Sequence, residues 1–292
     1  MKQETTLQKQ NRGKPLVDSG VIIRVKDFLY PLLIRLTGTK VRYRIHRVNE
    51  CTALPDKPII FVANHGAFQD TPVMLRATGR RSYIFGGKQE LAFIDWVFFV
   101  LNGVVWVDRK DKADMAAAKN ALTAYLQKGK SILWFPEGTW NLTPGQLMMP
   151  MKWGVIDVAK SCDAQIIPAA LDYDRGKMVC SVRFGQPMHG GDFADKAAAI
   201  RNLRDTLATL RWELMCSRPV LCRADITPEQ LKEEAYRVID EYPPLDWEYE
   251  CSCIHQPYPT PEDAFAHLDK LIPCRENAFL LRKPSGRHAG DL

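Results

Sequence analysis

Four short stretches of this chain place residues able to move a proton or hold an anion at the ends of apolar, strand-like runs. The first is Pro58-Ile-Ile-Phe-Val-Ala-Asn64, which leads directly into His65-Gly66-Ala67-Phe68-Gln69-Asp70. A carboxylate that accepts the proton of one imidazole nitrogen fixes the tautomer and leaves the other nitrogen to take a proton from a hydroxyl. On a continuous helix, residues five apart diverge by about 140°, so the pair can meet only across a strand-loop-helix corner. Thr71-Pro72 supplies the helix start that such a corner needs. Six histidines and 21 aspartates yield roughly 0.4 such spacings by chance. Isolated, His65 reads equally well as a histidine satisfying local hydrogen bonds, and the neighbouring stretches must decide.

The second stretch is Ser131-Ile-Leu-Trp-Phe-Pro136 followed by Glu137-Gly138-Thr139. Proline and glycine around an acid and a hydroxyl predict a tight turn with exposed backbone donors, from which Glu137 can bind an acceptor hydroxyl; an ordinary β-turn is the plainer alternative. The third runs from Gly103 through Asp108 to Arg109, a strand delivering a guanidinium suited to phosphate, or to solvent. The fourth, Ile166-Ile167-Pro168-Ala169, puts a proline inside a strand, which is expected only at an edge or a bulge.

The elements around these stretches alternate. Strand-like runs at 58–64, 81–87, 103–108, 131–136, 165–171 and 179–185 are interleaved with helical ones near 71–77, 112–128, 155–161 and 193–215, with Gly129 as a helix stop. Such alternation predicts an α/β fold with a largely parallel central sheet flanked by helices, placed at 41–218. Beyond Arg218, frequent prolines mark an appendage at 219–292, in which Thr227-Pro228-Glu229-Gln230 and Thr260-Pro261 each start a short helix.

The net charge of +6 is concentrated at one end: residues 1–50 hold 11 Lys/Arg and 4 Asp/Glu. Between Val21 and Leu36 those charges are interleaved with aliphatic residues and Phe28, predicting an amphipathic helix within 1–40 that rests on an anionic membrane surface and is kinked or split at Pro31. The same interleaving argues against nucleic acid as a partner. Packing of the helix on the domain's own core is the plainer alternative. Only Phe28–Ile34 is free of charge, too short a run to span a bilayer, and the polar opening residues carry no secretory signal. The expected location is peripheral, on the cytoplasmic face of the membrane, with the eight cysteines as thiols. Cys251, Cys253 and His255 lack the usual zinc spacing, so no metal is expected.

Taken together, the four stretches in this order resemble the glycerolipid acyltransferase family typified by 1-acylglycerol-3-phosphate acyltransferase, over about Val41 to Pro187. The resemblance implies His65 and Asp70 as the catalytic pair, and Glu137, Gly138, Thr139, Gly103, Arg109 and Lys88 as residues shaping the acceptor site. It implies no covalent acyl-enzyme and no cofactor, with acyl-CoA or acyl carrier protein as co-substrate and a lysophospholipid, first of all 1-acylglycerol-3-phosphate giving phosphatidic acid, as acceptor; the alternatives are an acyltransferase of the same fold on another lipid acceptor and a non-catalytic peripheral membrane lipid-binding protein. Backbone donors near the Glu137 turn would hold the oxyanion. The chain departs from the family where arginine commonly follows Glu-Gly-Thr: here the residue is Trp140, which removes one expected phosphate ligand.

Overall fold

A computed structural model describes residues 17–51, 57–88, 93–141, 146–189, 195–219 and 223–240. The helix expected at Thr260-Pro261 and the Cys251, Cys253, His255 cluster lie outside them. The architecture is α/β with a mostly parallel sheet flanked by helices. In chain order the elements are α1 (Gly20–Lys40), β1 (Arg44–Arg47), β2 (Ile59–Ala63), α2 (Asp70–Thr78), β3 (Ser82–Gly87), α3 (Phe93–Asn102), β4 (Val104–Val107) and α4 (Lys112–Gln127). They continue with β5 (Ser131–Trp134), α5 (Gly154–Ser161), β6 (Gln165–Asp174), β7 (Val179–Phe184), β8 (Met188–His189), α6 (Lys196–Cys216) and α7 (Pro228–Asp240).

The sheet order is β1-β7-β6-β2-β5-β3-β4, with β8 also pairing β6. β2, β5, β3, β4 and β6 run parallel to their neighbours in that block, while β7 and β8 run antiparallel to β6. β2 is buried at every position, as a central parallel strand covered on both faces must be. Its side chains alternate between two cores. Ile60 and Val62 join α4, α5 and α6, through Leu122, Val155 and Leu203; Ile59, Phe61 and Ala63 join α2, through Val73 and Leu75.

Local chemistry sets the helix ends. Asp111 caps α4 by accepting from Ala113 and Asp114 N–H, and Asp195 caps α6 in the same way. Gly129, at φ 71°, lies two residues past α4 in the left-handed region that lets the chain turn back. Thr227 and Gln230 exchange the two hydrogen bonds of a capping box at α7.

The expected split at Pro31 and the expected edge position of Pro168 are corrected. α1 runs unbroken from Gly20 to Lys40 with Pro31 inside it. It is held on both sides of the proline: Ile23 and Leu33 are buried, and Asp27 pairs with Arg81 and Lys130. Pro168 lies in an interior strand. Gln165 N–H donates to Pro58 O on the β2 side, so by alternation Pro168 faces the other neighbour. There β8, opposite Gln165 and Ile166, gives way to β7, whose first partner is Ala169. The donor that proline lacks thus falls at the junction between two strands.

Candidate active site

The first and second stretches meet because β2 and β5 are neighbours. Their register pairs Ile60 with Ile132 and Val62 with Trp134, a fixed offset that brings His65 level with Glu137 just past the strand ends. β2 leaves the sheet at Asn64, whose side chain continues the ladder: its Nδ2 donates to Leu171 O and its Oδ1 accepts Leu171 N–H. The chain then turns sharply into α2, and Asp70 closes that turn by accepting Gly66 N–H at 2.7 Å and Ala67 N–H at 2.9 Å on Oδ2.

The same Oδ2 lies 2.8 Å from His65 Nδ1. Asp70 Oδ1 accepts the Tyr173 hydroxyl at 2.6 Å. Every partner of the carboxylate is thus a donor, which places the imidazole proton on Nδ1 and leaves Nε2 with its lone pair. The carboxyl of Asp70 is fully buried, whereas the His65 side chain keeps 17% of its surface. The imidazole stacks on Phe135, centroids 4.2 Å apart, with Trp140 at 5.5 Å and Phe68 beyond it. Its own peptide is held on both sides: His65 N–H donates to Glu137, and His65 O accepts Asn141 N–H.

Glu137 departs from its expected role. Its side chain is buried, and Oε1 accepts His65 N–H at 2.8 Å while Oε2 accepts Met149 N–H at 2.7 Å. Both oxygens hold backbone in place. Burial pushes its pKa up to about 7, against the pull of those two N–H groups and of the Arg211 guanidinium; the Asp70 charge adds to the rise.

Arg109 reaches the same turn. Its guanidinium donates to Gly138 O and lies against Gly87 at the end of β3. Lys152 is also close to this turn, with its backbone N–H bonded to Pro136 O and its Nζ 3.9 Å from where a Gly138 Cβ would be. Gly138 has φ 76°, and its N–H is taken by Phe135 O, so that amide does not face a substrate. Thr139 is buried beside it. Lys88 stands at the end of β3, its ammonium 2.8 Å from Asp114 on α4.

Gly103 is not brought into this group. It precedes β4, at the strand edge opposite Arg109, with φ 91°, and a Cβ there would lie 2.6 Å from the Tyr83 ring. Its glycine is explained by that close approach. Tyr173, Lys152, Arg211 and Asn64 are the residues at the site that the motifs do not mark. Only the position of Tyr173 at the end of an apolar strand, Gln165–Asp174, could have pointed to one of them. Among the described residues no cluster of His, Cys, Asp and Glu could hold a metal ion.

Residues 42–172 match the family described as Acyltransferase. Over 120 residues the chain is 31% identical to a 1-acyl-sn-glycerol-3-phosphate acyltransferase of Chlamydomonas reinhardtii, covering 40% of this chain and 35% of that one. A probable 1-acyl-sn-glycerol-3-phosphate acyltransferase of Mycoplasma pneumoniae is 27% identical, with coverage of 51% and 57%. A lyso-ornithine lipid O-acyltransferase of Brucella abortus is 25% identical, with 56% and 61%. The matched region thus spans between about a third and three fifths of these relatives' length. The crystal structure of the 1-acyl-sn-glycerophosphate acyltransferase of Thermotoga maritima shares the fold, with TM-score 0.53 at 15% identity over 68% of this chain and 84% of that one.

Proposed function

We propose that this protein, whose residues 42–172 match the acyltransferase family, is of the 1-acylglycerol-3-phosphate acyltransferase-like kind and moves a fatty acyl chain from a thioester to a lysophospholipid hydroxyl. The observation that carries the proposal is the His65–Asp70 contact at 2.8 Å, with the imidazole partly open. Nε2 takes the proton of the acceptor hydroxyl as that oxygen attacks the thioester carbonyl of acyl-CoA or acyl carrier protein. The tetrahedral intermediate collapses with loss of the thiolate, and the imidazolium returns the proton to it. Asp70 stabilises the imidazolium that forms between the two steps. Arg109 and Lys152, both close to Gly138, supply positive charge for an acceptor phosphate or the developing oxyanion. On this reading lysophosphatidate is the acceptor and phosphatidic acid the product.

Trp140, where the family commonly has arginine, favours a second acceptor within the same chemistry: a lyso-lipid without a glycerol phosphate, such as the lyso-ornithine lipid named for the Brucella relative. Two assays decide. His65→Ala should abolish acyl transfer while leaving the fold intact; transfer that continues at the parent rate removes His65 from the reaction. Offering the labelled donor lysophosphatidate and lyso-ornithine lipid side by side identifies the acceptor by which product gains label.

A membrane surface is the expected place of reaction. Among the described residues no helix is long and apolar enough to cross a membrane. α1 instead turns one apolar stripe outward, Val21, Val25, Phe28, Leu32 and Leu36, with Phe28 84% exposed. This spacing of three and four residues keeps the stripe on one side of a helix. Its opposite side packs through Ile23 and Leu33, so the core-packing reading holds for that side and the outward stripe is the part offered to a membrane. Phe93 and Ile94 of α3 are also exposed. Replacing Phe28 and Leu32 together by Asp should release the protein from anionic vesicles in a flotation assay; retention at the parent level would remove the stripe from the binding surface.

A further inference from the structure

We infer that Tyr173 is a positioning residue of the reaction, acting through Asp70 to set how firmly the carboxylate holds the His65 imidazole. It lies at the end of β6, just past the matched residues 42–172, and 103 residues from its partner.

The inference starts from the unequal environment of the two Asp70 oxygens. Oδ2 receives three donors, from His65, Gly66 and Ala67. Oδ1 receives the Tyr173 hydroxyl at 2.6 Å, and with the side chain fully buried water does not replace that donor. A hydroxyl donating to a carboxylate draws negative charge toward the oxygen it binds and away from the other. The strength of the Asp70–imidazolium attraction therefore depends on Tyr173. The ring is fixed for this task by edge contact with Tyr43, centroids 4.8 Å apart at 71°.

The hydroxyl keeps its proton. Burial raises the Tyr173 pKa well above its ordinary value, and the Asp70 charge and Cys180 raise it further. The other ionisable groups facing this carboxylate are Cys180 on β7, itself pushed up mainly by burial with Asp70 and Asp172 adding, and Glu137 in the turn after β5, which is also under the Arg211 guanidinium of α6. Tyr173 and Cys180 stay neutral across the working range, so Tyr173 acts as a constant donor.

The inference rests on His65 as the base, and its test separates the two. In Tyr173→Phe the ring remains and the donor goes. Charge then concentrates on Oδ2, the imidazolium is held more firmly, and it persists to higher pH. The expected results are an acid limb of the rate profile moved to higher pH, so that kcat at a fixed pH on that limb falls by up to about ten-fold at unchanged KM, and a matching move in the His65 ring nitrogen shifts followed by NMR. Glu137 titrates in parent and variant alike, so the ring signal is the cleaner readout. In an Asp70→Asn background the Tyr173→Phe change should alter kcat by less than about two-fold. Identical His65 titration in parent and variant, or an equal loss in both backgrounds, overturns the inference. The NMR titration needs no turnover, so an inactive parent would count against the proposed reaction and leave the Tyr173 result standing.

Discussion

Two aspartates at opposite ends of the central strands show what a carboxylate does when its partners differ. Asp27, on α1, meets the residues that lead into β3 and β5: Arg81 and, at 2.7 Å, Lys130. Burial alone would push it up, but the two cations outweigh that and hold its carboxyl below the usual range. Asp70, where β2 ends, meets two peptide N–H groups, a hydroxyl and the imidazole. Paired with full positive charges, Asp27 has little field left beyond its own contacts and serves to fasten α1. Held by neutral donors, Asp70 keeps a charge with which to stabilise an imidazolium, and among those donors only the imidazole changes charge during turnover.

The largest effect expected from breaking this contrast follows Asp70→Asn. The amide keeps one oxygen for the His65, Gly66 and Ala67 donors and turns its nitrogen to the Tyr173 hydroxyl, but the charge that stabilises an imidazolium is gone. Steady-state transfer of labelled acyl chain should drop by about 10²- to 10⁴-fold, with the far-ultraviolet circular dichroism spectrum unchanged.

Next in size is the pH response of the third carboxyl, Glu137. Its pKa rises from 4.5 to about 7 on folding, so between those values the folded state binds the extra proton. Stability from this group is therefore complete below pH 4.5 and is lost as pH rises through about 7, an effect on the order of 3 kcal/mol. Glu137→Gln removes the titration. Urea unfolding at the two ends of that window should show a parent that weakens relative to the variant as pH rises.

Asp27→Asn should have the smallest effect. Its carboxyl is 36% exposed, and an ion pair so placed is weakened by water. A fall in Tm of about 2–4 °C is expected, diminished by added salt, with kcat unchanged. Because Asp27 is lowered in the folded state, its contribution is present above its ordinary value of 3.8 and is lost as pH falls through the lower one. A large loss of kcat in this variant would place both ends of the strands in the reaction and erase the distinction.

How much of this could be read from the chain depends on the range of the interaction. β2, β5, α4 with its Gly129 stop, and the Thr227 capping box depend on residues close in sequence, and all were expected. So was the Fold of Asp70 back onto His65, five residues away. α3 was not, because Phe93–Asn102 is apolar nearly all round and gives no helical stripe to recognise. A carboxylate in a turn looks available to a substrate, whereas the burial of Glu137 is decided by His65 and by Met149, 72 and 12 residues away. Gly103 fell in a correct strand but at its far end, and its purpose is set by the Tyr83 ring. Tyr173 belongs to the site only because β6 lies beside β2.

The adjacency of β2 and β5 has a bearing on how such a molecule can change over evolutionary time. Between those two strands the polypeptide makes a long excursion through α2, β3, α3, β4 and α4 before returning to the base. Loops on that excursion could be lengthened or rebuilt to admit a new headgroup, and the reacting imidazole would stay where the ladder puts it. New substrates could thus be acquired without reinventing the chemistry.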